Sequence, residues 1–221
     1  MTTSTSDPHV LHEPLVRRPP HDTAAVALVL VHGRGGSAEG MIPIARAAGA
    51  SDALLIAPRA NGGSWYPDRF LAPFRNNEPY LSSALRAIGR GVDNAIAAGV
   101  PVHNIVLVGF SQGACLSLEY AARNARRYGG IAAMAGARLG DVYDASVNRG
   151  TFEGTPIFLG CANDDPHIPE ARVRESARQL ADQGAAVDLR IYNGGGHNIV
   201  SDQIDALRAM VQQLRTPTEN A

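Results

Sequence analysis

The chain has 221 residues, 45% of them apolar and 19% charged. That is one globular domain with enough apolar material for a buried core, which excludes a disordered chain. Twenty basic residues, all arginine, face 21 acidic ones for a net charge of −1, so neither a nucleic-acid partner nor an acidic membrane surface is expected.

Residues 1–22 are rich in Thr, Ser, Pro, His and Arg and read as a loose arm with one short edge strand around His9 to Val16. His9, His12 and His21 on that arm read as surface histidines, because no acidic or cysteine partner sits at ligand spacing. Regular alternation then begins, and residues 23–215 read as one domain. Ala25–Val31 is a continuous apolar run, which suits a strand buried on both faces. It ends in the turn His32-Gly33-Arg34-Gly35-Gly36. Ser37–Ala50 reads as a helix with Ser37 as N-cap. Ala53–Ala57 is the next strand, stopped by Pro58. Arg59–Pro79 is a long loop rich in Gly, Pro, Asn and aromatics, and loops of that length tend to carry function. Leu81–Ala98 reads as a helix opened near Ser82 or Ser83. Asn104–Val108 is a strand, Gln112–Tyr128 a helix and Gly130–Ala135 a strand. After the irregular stretch Arg138–Thr155 come the strand Thr155–Cys161, the helix Pro169–Gln183, the strand Val187–Tyr192 and the helix Ile199–Leu214. The tail 216–221 reads as frayed. Six strands alternating with helices predict an α/β fold, a mostly parallel sheet covered on both faces.

Such sheets bind ligands at the carboxyl ends of their strands, and the chemically suggestive residues all follow strands. Asn104–Val108 runs into Gly109-Phe110-Ser111-Gln112-Gly113 and then a helix, so G-x-S-x-G stands between strand and helix. This turn lifts a serine hydroxyl above the sheet. Serine needs a base, and His197, in the glycine-rich turn Gly194-Gly195-Gly196-His197 after the last strand, is the best candidate. His32 competes less well and reads as a brace for its own turn. His103 precedes a strand and lies at the wrong end. His167 follows the acid too closely. The imidazole needs a carboxylate, and the turn Asn163-Asp164-Asp165-Pro166 supplies two; the residues alone leave both open. The order Ser, Asp, His is that of α/β-hydrolases. Backbone N–H groups of Gln112 and Arg34 are the expected oxyanion donors.

With these residues in hand, the chain resembles the phospholipase/carboxylesterase family of α/β-hydrolases, which includes the acyl-protein thioesterases. The likeness runs from about Val26 to Leu214 and rests on HGRGG at 32–36, GFSQG at 109–113, DPHIP at 165–169 and GGGH at 194–197. It implies an α/β-hydrolase fold without a large lid domain, a serine carboxylesterase acting on a small ester through an acyl-enzyme on Ser111, and no cofactor or metal. Its D-P-x-x-P pattern assigns the acid to Asp165. Ser64-Trp65-Tyr66 resembles the family's tryptophan loop, so Trp65 and Tyr66, with Phe70, Leu71 and Phe74, are expected to shape the substrate pocket. Two departures stand out: Arg34 where thioesterase-like members have a small apolar residue, and Gly160-Cys161 where the family often has His-Gly. Both point away from long-chain acyl-protein substrates and toward the bacterial small-ester branch. The Arg34 side chain is expected to face solvent, with an anionic substrate group as the other reading.

A thioesterase or lysophospholipase for longer acyl chains is the alternative within enzymes, and a catalytically silent binding protein the alternative outside them. Cys115 and Cys161 fit no disulfide framework and no zinc pattern, and Cys115 reads as core. No apolar run approaches the ~20 residues of a membrane span, and the N-terminus carries no signal pattern, so a cytoplasmic location is expected. A homodimer is compatible with the fold, although no interface is legible.

Overall fold

Seven strands form one sheet in the order β1-β3-β2-β4-β5-β6-β7. The structure is a computed structural model that describes residues 7–19 and 24–216. In chain order the strands are β1 (Leu15–Arg17), β2 (Ala27–Val31), β3 (Leu54–Ala57), β4 (Ile105–Phe110), β5 (Gly130–Met134), β6 (Pro156–Ala162) and β7 (Ala186–Tyr192). Six pair in parallel, and β1 joins antiparallel at the β3 edge, Leu15 opposite Ala57. The α-helices are α1 (Ala38–Ala47), α2 (Phe74–Asn77), α3 (Tyr80–Ala97), α4 (Gln112–Arg123), α5 (Glu170–Asp182) and α6 (Ser201–Arg215). This is the α/β-hydrolase arrangement, and among the described residues no large lid is inserted into it.

The central strands are buried because their residues are apolar on both sides. Alternate residues of β2 serve different layers: Ala27, Val29 and Val31 pack with α3 and α4, while Leu28 and Leu30 pack with α1 and α6. Each buried Leu or Val contributes roughly 1.5–3 kcal/mol, so the sheet centre is the most firmly held part of the molecule. The edge strand β7 is only partly buried and carries Asp188 and Arg190, charges that discourage pairing with another sheet. No helix among the described residues is long and apolar enough to cross a membrane.

Ser37 caps α1 as expected, its Oγ accepting from Gly40 N at 3.2 Å. Two expectations are corrected. Helix α4 stops at Arg123 rather than Tyr128, because Ala122 O is taken by Arg149 N and by the Gln183 side chain. Helix α3 spans Tyr80–Ala97, within one residue of its expected bounds, and Glu78 accepts from Ser82 N in its first turn. Ser83 faces inward, where its Oγ accepts from His9 N at 2.9 Å. The arm is not loose over its described part. His9 is fully buried: Nδ1 accepts from Asn61 N at 3.0 Å and Nε2 lies 2.9 Å from Trp65 O. Those bonds put the proton on Nε2. Asp7 anchors the same stretch to Ser83 and Arg86. His21 and the tail 217–221 lie outside the described residues.

Candidate active site

Strand β4 ends at Phe110, and helix α4 begins at Gln112, leaving Ser111 alone in the turn with φ 54° and ψ −120°. Positive φ is unfavourable for a residue with a Cβ, costing about 1–3 kcal/mol, so the surrounding fold must enforce it. The flanking glycines explain how. A Cβ on Gly113 would fall 2.1 Å from Val31 O, and one on Gly109 would fall 2.4 Å from Gly113 O. Only glycine lets strand, turn and helix approach this closely. Ser111 N donates to Met134 O at 2.9 Å, which fixes the turn to β5.

Three remote segments converge on that serine. His197 Nε2 lies 2.7 Å from Ser111 Oγ, and His197 Nδ1 lies 2.7 Å from Asp165 Oδ2. The Asp165 side chain is fully buried, while that of His197 is 18% exposed and opens to the cleft. Burial would raise the Asp165 carboxyl. The hydrogen bond from His197, with those from His167 N and Ile168 N, outweighs it and holds the carboxyl below its ordinary value. Asp165 is therefore an anion that fixes the imidazole with the proton on Nδ1, leaving Nε2 as the acceptor facing Ser111 Oγ.

The structure separates the two aspartates that the residues alone left open. Asp164 Oδ1 accepts from Gly196 N at 2.9 Å and braces the glycine turn that carries the histidine, while Asp165 meets the ring. Beneath Asp165 sits Cys161, buried, with Sγ 3.6 Å from Oδ2. Burial, reinforced by the Asp165 charge, pushes this thiol up to about 12, so it stays protonated and can donate. Sequence reasoning marked Cys161 as a departure without seeing this contact.

His32 braces its turn. Its Nδ1 is 2.8 Å from Gly33 O, and its Nε2 accepts from Ala60 N at 3.3 Å. Burial lowers its pKa, which suits a neutral structural imidazole. A Cβ on Gly33 would fall 3.2 Å from Ser111 Cβ, so this turn lies directly against the serine. The backbone N–H groups of Arg34 and Gln112 have no acceptor among the described residues. His103 is exposed in a short turn before β4, away from the site. His167 is exposed beside His197, ring centroids 4.9 Å apart.

A cleft of about 610 Å³ opens over Ser111 and His197. Tyr66, Phe70, Leu71 and Ile168 supply its apolar wall. Two pocket expectations are corrected. Trp65 is fully buried behind the wall, its indole N–H donating to His32 O at 2.8 Å. Phe74 packs away from the cleft, with the Arg123 guanidinium 5.0 Å from its ring centre. Arg34 is exposed, as expected. At the surface its guanidinium also donates to Pro67 O at 2.9 Å and Asp68 O at 2.6 Å, tying the HGRGG turn to the loop. The Gln112 side chain, absent from the sequence reading, makes a second tie: Oε1 accepts from Trp65 N and Nε2 donates to Tyr66 O, both at 2.9 Å. Among the described residues no group of three or more His, Cys, Asp or Glu is arranged to hold a metal.

Comparison with known proteins agrees with the fold. A family model described as Phospholipase/Carboxylesterase matches residues 13–215. The crystal structure of a phospholipase/carboxylesterase from Dyadobacter fermentans is 38% identical, with TM-score 0.87 over 96% of this chain and 99% of that one. A Bacillus cereus carboxylesterase structure shares the fold at 18% identity, with TM-score 0.74 over 93% and 95% of the two chains. Acyl-protein thioesterase 1 of Saccharomyces cerevisiae is 27% identical over 70% of this chain and 71% of its own. Against the Gibberella zeae protein of the same name, the match is 29% identical and spans 57% of this chain but 54% of the relative's length.

Proposed function

The chain belongs to the phospholipase/carboxylesterase family of serine hydrolases, and from that premise we propose that it is a carboxylesterase working through an acyl-enzyme on Ser111. One observation carries the proposal: a single imidazole lies 2.7 Å from a strained serine hydroxyl on one side and 2.7 Å from a buried carboxylate on the other. In this reading Ser111 Oγ attacks the ester carbonyl as His197 Nε2 takes its proton. The Asp165 anion stabilises the imidazolium that forms. The free N–H groups of Gln112 and Arg34 hold the oxyanion; the first also stands at the N-terminus of α4, where the helix dipole favours negative charge. His197 returns the proton to the leaving alcohol. Water, activated by the same nitrogen, then releases the acid and regenerates Ser111.

The cleft supports a small substrate. Arg34 and Arg69 stand on its lining, which suits a compact polar acyl group better than a long apolar chain. The names of the curated relatives favour a second reading, a thioesterase. A panel of esters and thioesters of increasing acyl length separates the two, with the small esters expected to be the faster substrates. Ser111→Ala should abolish turnover and labelling by a fluorophosphonate probe while the fold persists. Ordinary turnover by that variant would overturn the nucleophile assignment, and an unlabelled wild-type protein would favour a silent binding protein. A cytoplasmic location is part of the same proposal, and cell fractionation tests it.

A further inference from the structure

Two neutral acceptors hold a full positive charge on the wall of the cleft. The Arg34 guanidinium donates to the carbonyls of Pro67 and Asp68, which fix its position without cancelling its charge. It lies 5.9 Å from the centre of the Tyr66 ring, which also lines the cleft. Arginine has five N–H donors, so donors remain beyond those two bonds. No Arg34 ion pair exists among the described residues, although most arginines that pair in this chain reach a carboxylate at 3 Å or less. Outside the Ser–His–Asp set, the cleft lining carries two arginines, Arg34 and Arg69, against one acidic residue, Asp68. The Asp68 carboxylate accepts from Arg69 N and from the Asn76 side chain and offsets one of the two cations. The cleft wall therefore has an excess cation in a protein whose overall charge is −1.

The place of that cation is set by the backbone. Gly33, the residue before Arg34, packs against Ser111, and Arg34 stands on the same cleft lining as Ser111 and His197. Tyr66, Phe70 and Leu71 offer an apolar surface along the same cleft. We infer that the Arg34 guanidinium selects esters whose acyl chain ends in a carboxylate, so that the substrates are half-esters of short dicarboxylic acids. This deepens the carboxylesterase reading and rests on it. The ester carbonyl sits at Ser111, the methylenes lie on the aromatic wall, and the distal carboxylate meets the guanidinium. Because two carbonyls already hold the arginine still, little side-chain freedom is lost when the carboxylate binds. Hydrolysis of the half-ester anion consumes one water and yields the dicarboxylate, the alcohol and one proton released to solvent.

The test compares monomethyl glutarate with methyl pentanoate, which differ by a carboxylate in place of a terminal methyl. Released acid is titrated, and kcat/KM is expressed as the ratio of the two esters, so that partial loss of folded protein cancels. The expected ratio favours the half-ester by about fivefold at low ionic strength, the scale of one partly screened charge pair, and shrinks as salt rises. Arg34→Gln should reverse or abolish the preference, and Arg34→Lys should retain part of it. An equal ratio in wild type and Arg34→Gln, or a wild-type ratio that favours the neutral ester, would overturn the inference. Fluorophosphonate labelling of Ser111 is run beside it. Labelling without half-ester preference sinks the Arg34 assignment alone, whereas no labelling sinks the esterase reading.

Discussion

Gln112→Ala isolates the side chain of a residue whose backbone carries the chemistry. The substitution leaves the Gln112 N–H in place. It removes the acceptor for Trp65 N and the donor for Tyr66 O, and both partner residues are buried, at 0% and 2% exposure. An orphaned buried polar group costs about 1–3 kcal/mol, so two orphans cost about 3 kcal/mol with partial relaxation. For a chain of this size, 1 kcal/mol shifts the thermal midpoint by about 2–4 °C, which gives a fall of about 9 °C. At 25 °C the variant should still be folded, because native domains hold about 5–15 kcal/mol in reserve. Any fall in kcat/KM at that temperature then reports a loosened cleft wall rather than unfolded protein. Thermal unfolding gives the stability change, and a short ester at 25 °C gives the rate. A midpoint within about 1 °C of wild type, with unchanged kcat/KM, would show that the loop is held by other contacts and that the tie is incidental.

Asp165→Asn should cost at least about 1000-fold in kcat, because it destroys the anion and the tautomer it fixes, while Asp164→Asn keeps an acceptor for Gly196 N and should cost less than about tenfold; the reverse order on a common ester would refute the assignment. Glu119 is fully buried and accepts from Arg123 at 2.7 Å and Arg138 at 2.9 Å, so Glu119→Gln strands a buried guanidinium and should destabilise by about 3–5 kcal/mol, measured by urea titration. Burial holds the His9 pKa below its ordinary 6.5, with the Trp65 carbonyl opposing the shift only in part. The unfolded chain thus binds a proton that the folded arm resists, and the stability from neutral His9 is complete above 6.5 and drains away as pH falls below it toward the lowered folded value. The stability gap between wild type and His9→Asn should therefore narrow from pH 7.5 toward about pH 5; a constant gap across that range would exclude the neutral-histidine account.

The strands and the serine turn were legible because their causes are local. Apolar runs such as Ala27–Val31 state their burial in consecutive residues, and the two glycines around Ser111 are imposed by backbone crowding within one strand–helix unit. The partners of Ser111 were legible through the strand ends that deliver them. What stayed hidden depends on distant polar pairs. His9 reads as a surface histidine until Asn61 and Trp65 are brought to it across more than fifty residues. Ser83 reads only as a residue near a helix start until its hydroxyl is found beneath the arm. Trp65 reads as a pocket residue because aromatics in a long loop look the same whether they face a ligand or the core, and only the bond to His32 O decides. Helix α4 ends early because Arg149 and Gln183 reach its last turn from elsewhere, which no propensity records.

Those hidden contacts share one target. His9 and His32 hold the loop near Ala60–Asn61 and at Trp65, Gln112 holds Trp65 and Tyr66, and Arg34 holds Pro67 and Asp68. A segment of Gly, Pro and Asn has little intrinsic preference for one shape, so its rigidity has to come from outside. Here the outside supports include the two residues proposed as oxyanion donors. Anything that displaces the loop therefore pulls on the side chains of Arg34 and Gln112, whose backbone N–H groups must stay aimed at one point over Ser111. The coupling gives a reason for a buried histidine on the N-terminal arm to matter to the cleft. A His9 variant should lower kcat/KM in step with Gln112→Ala, and combining the two should cost less than the sum of their separate effects, since both loosen one element. Strict additivity in kcat/KM would mean that arm and elbow support the loop independently, and the loop would then be several local clamps rather than one rigid wall.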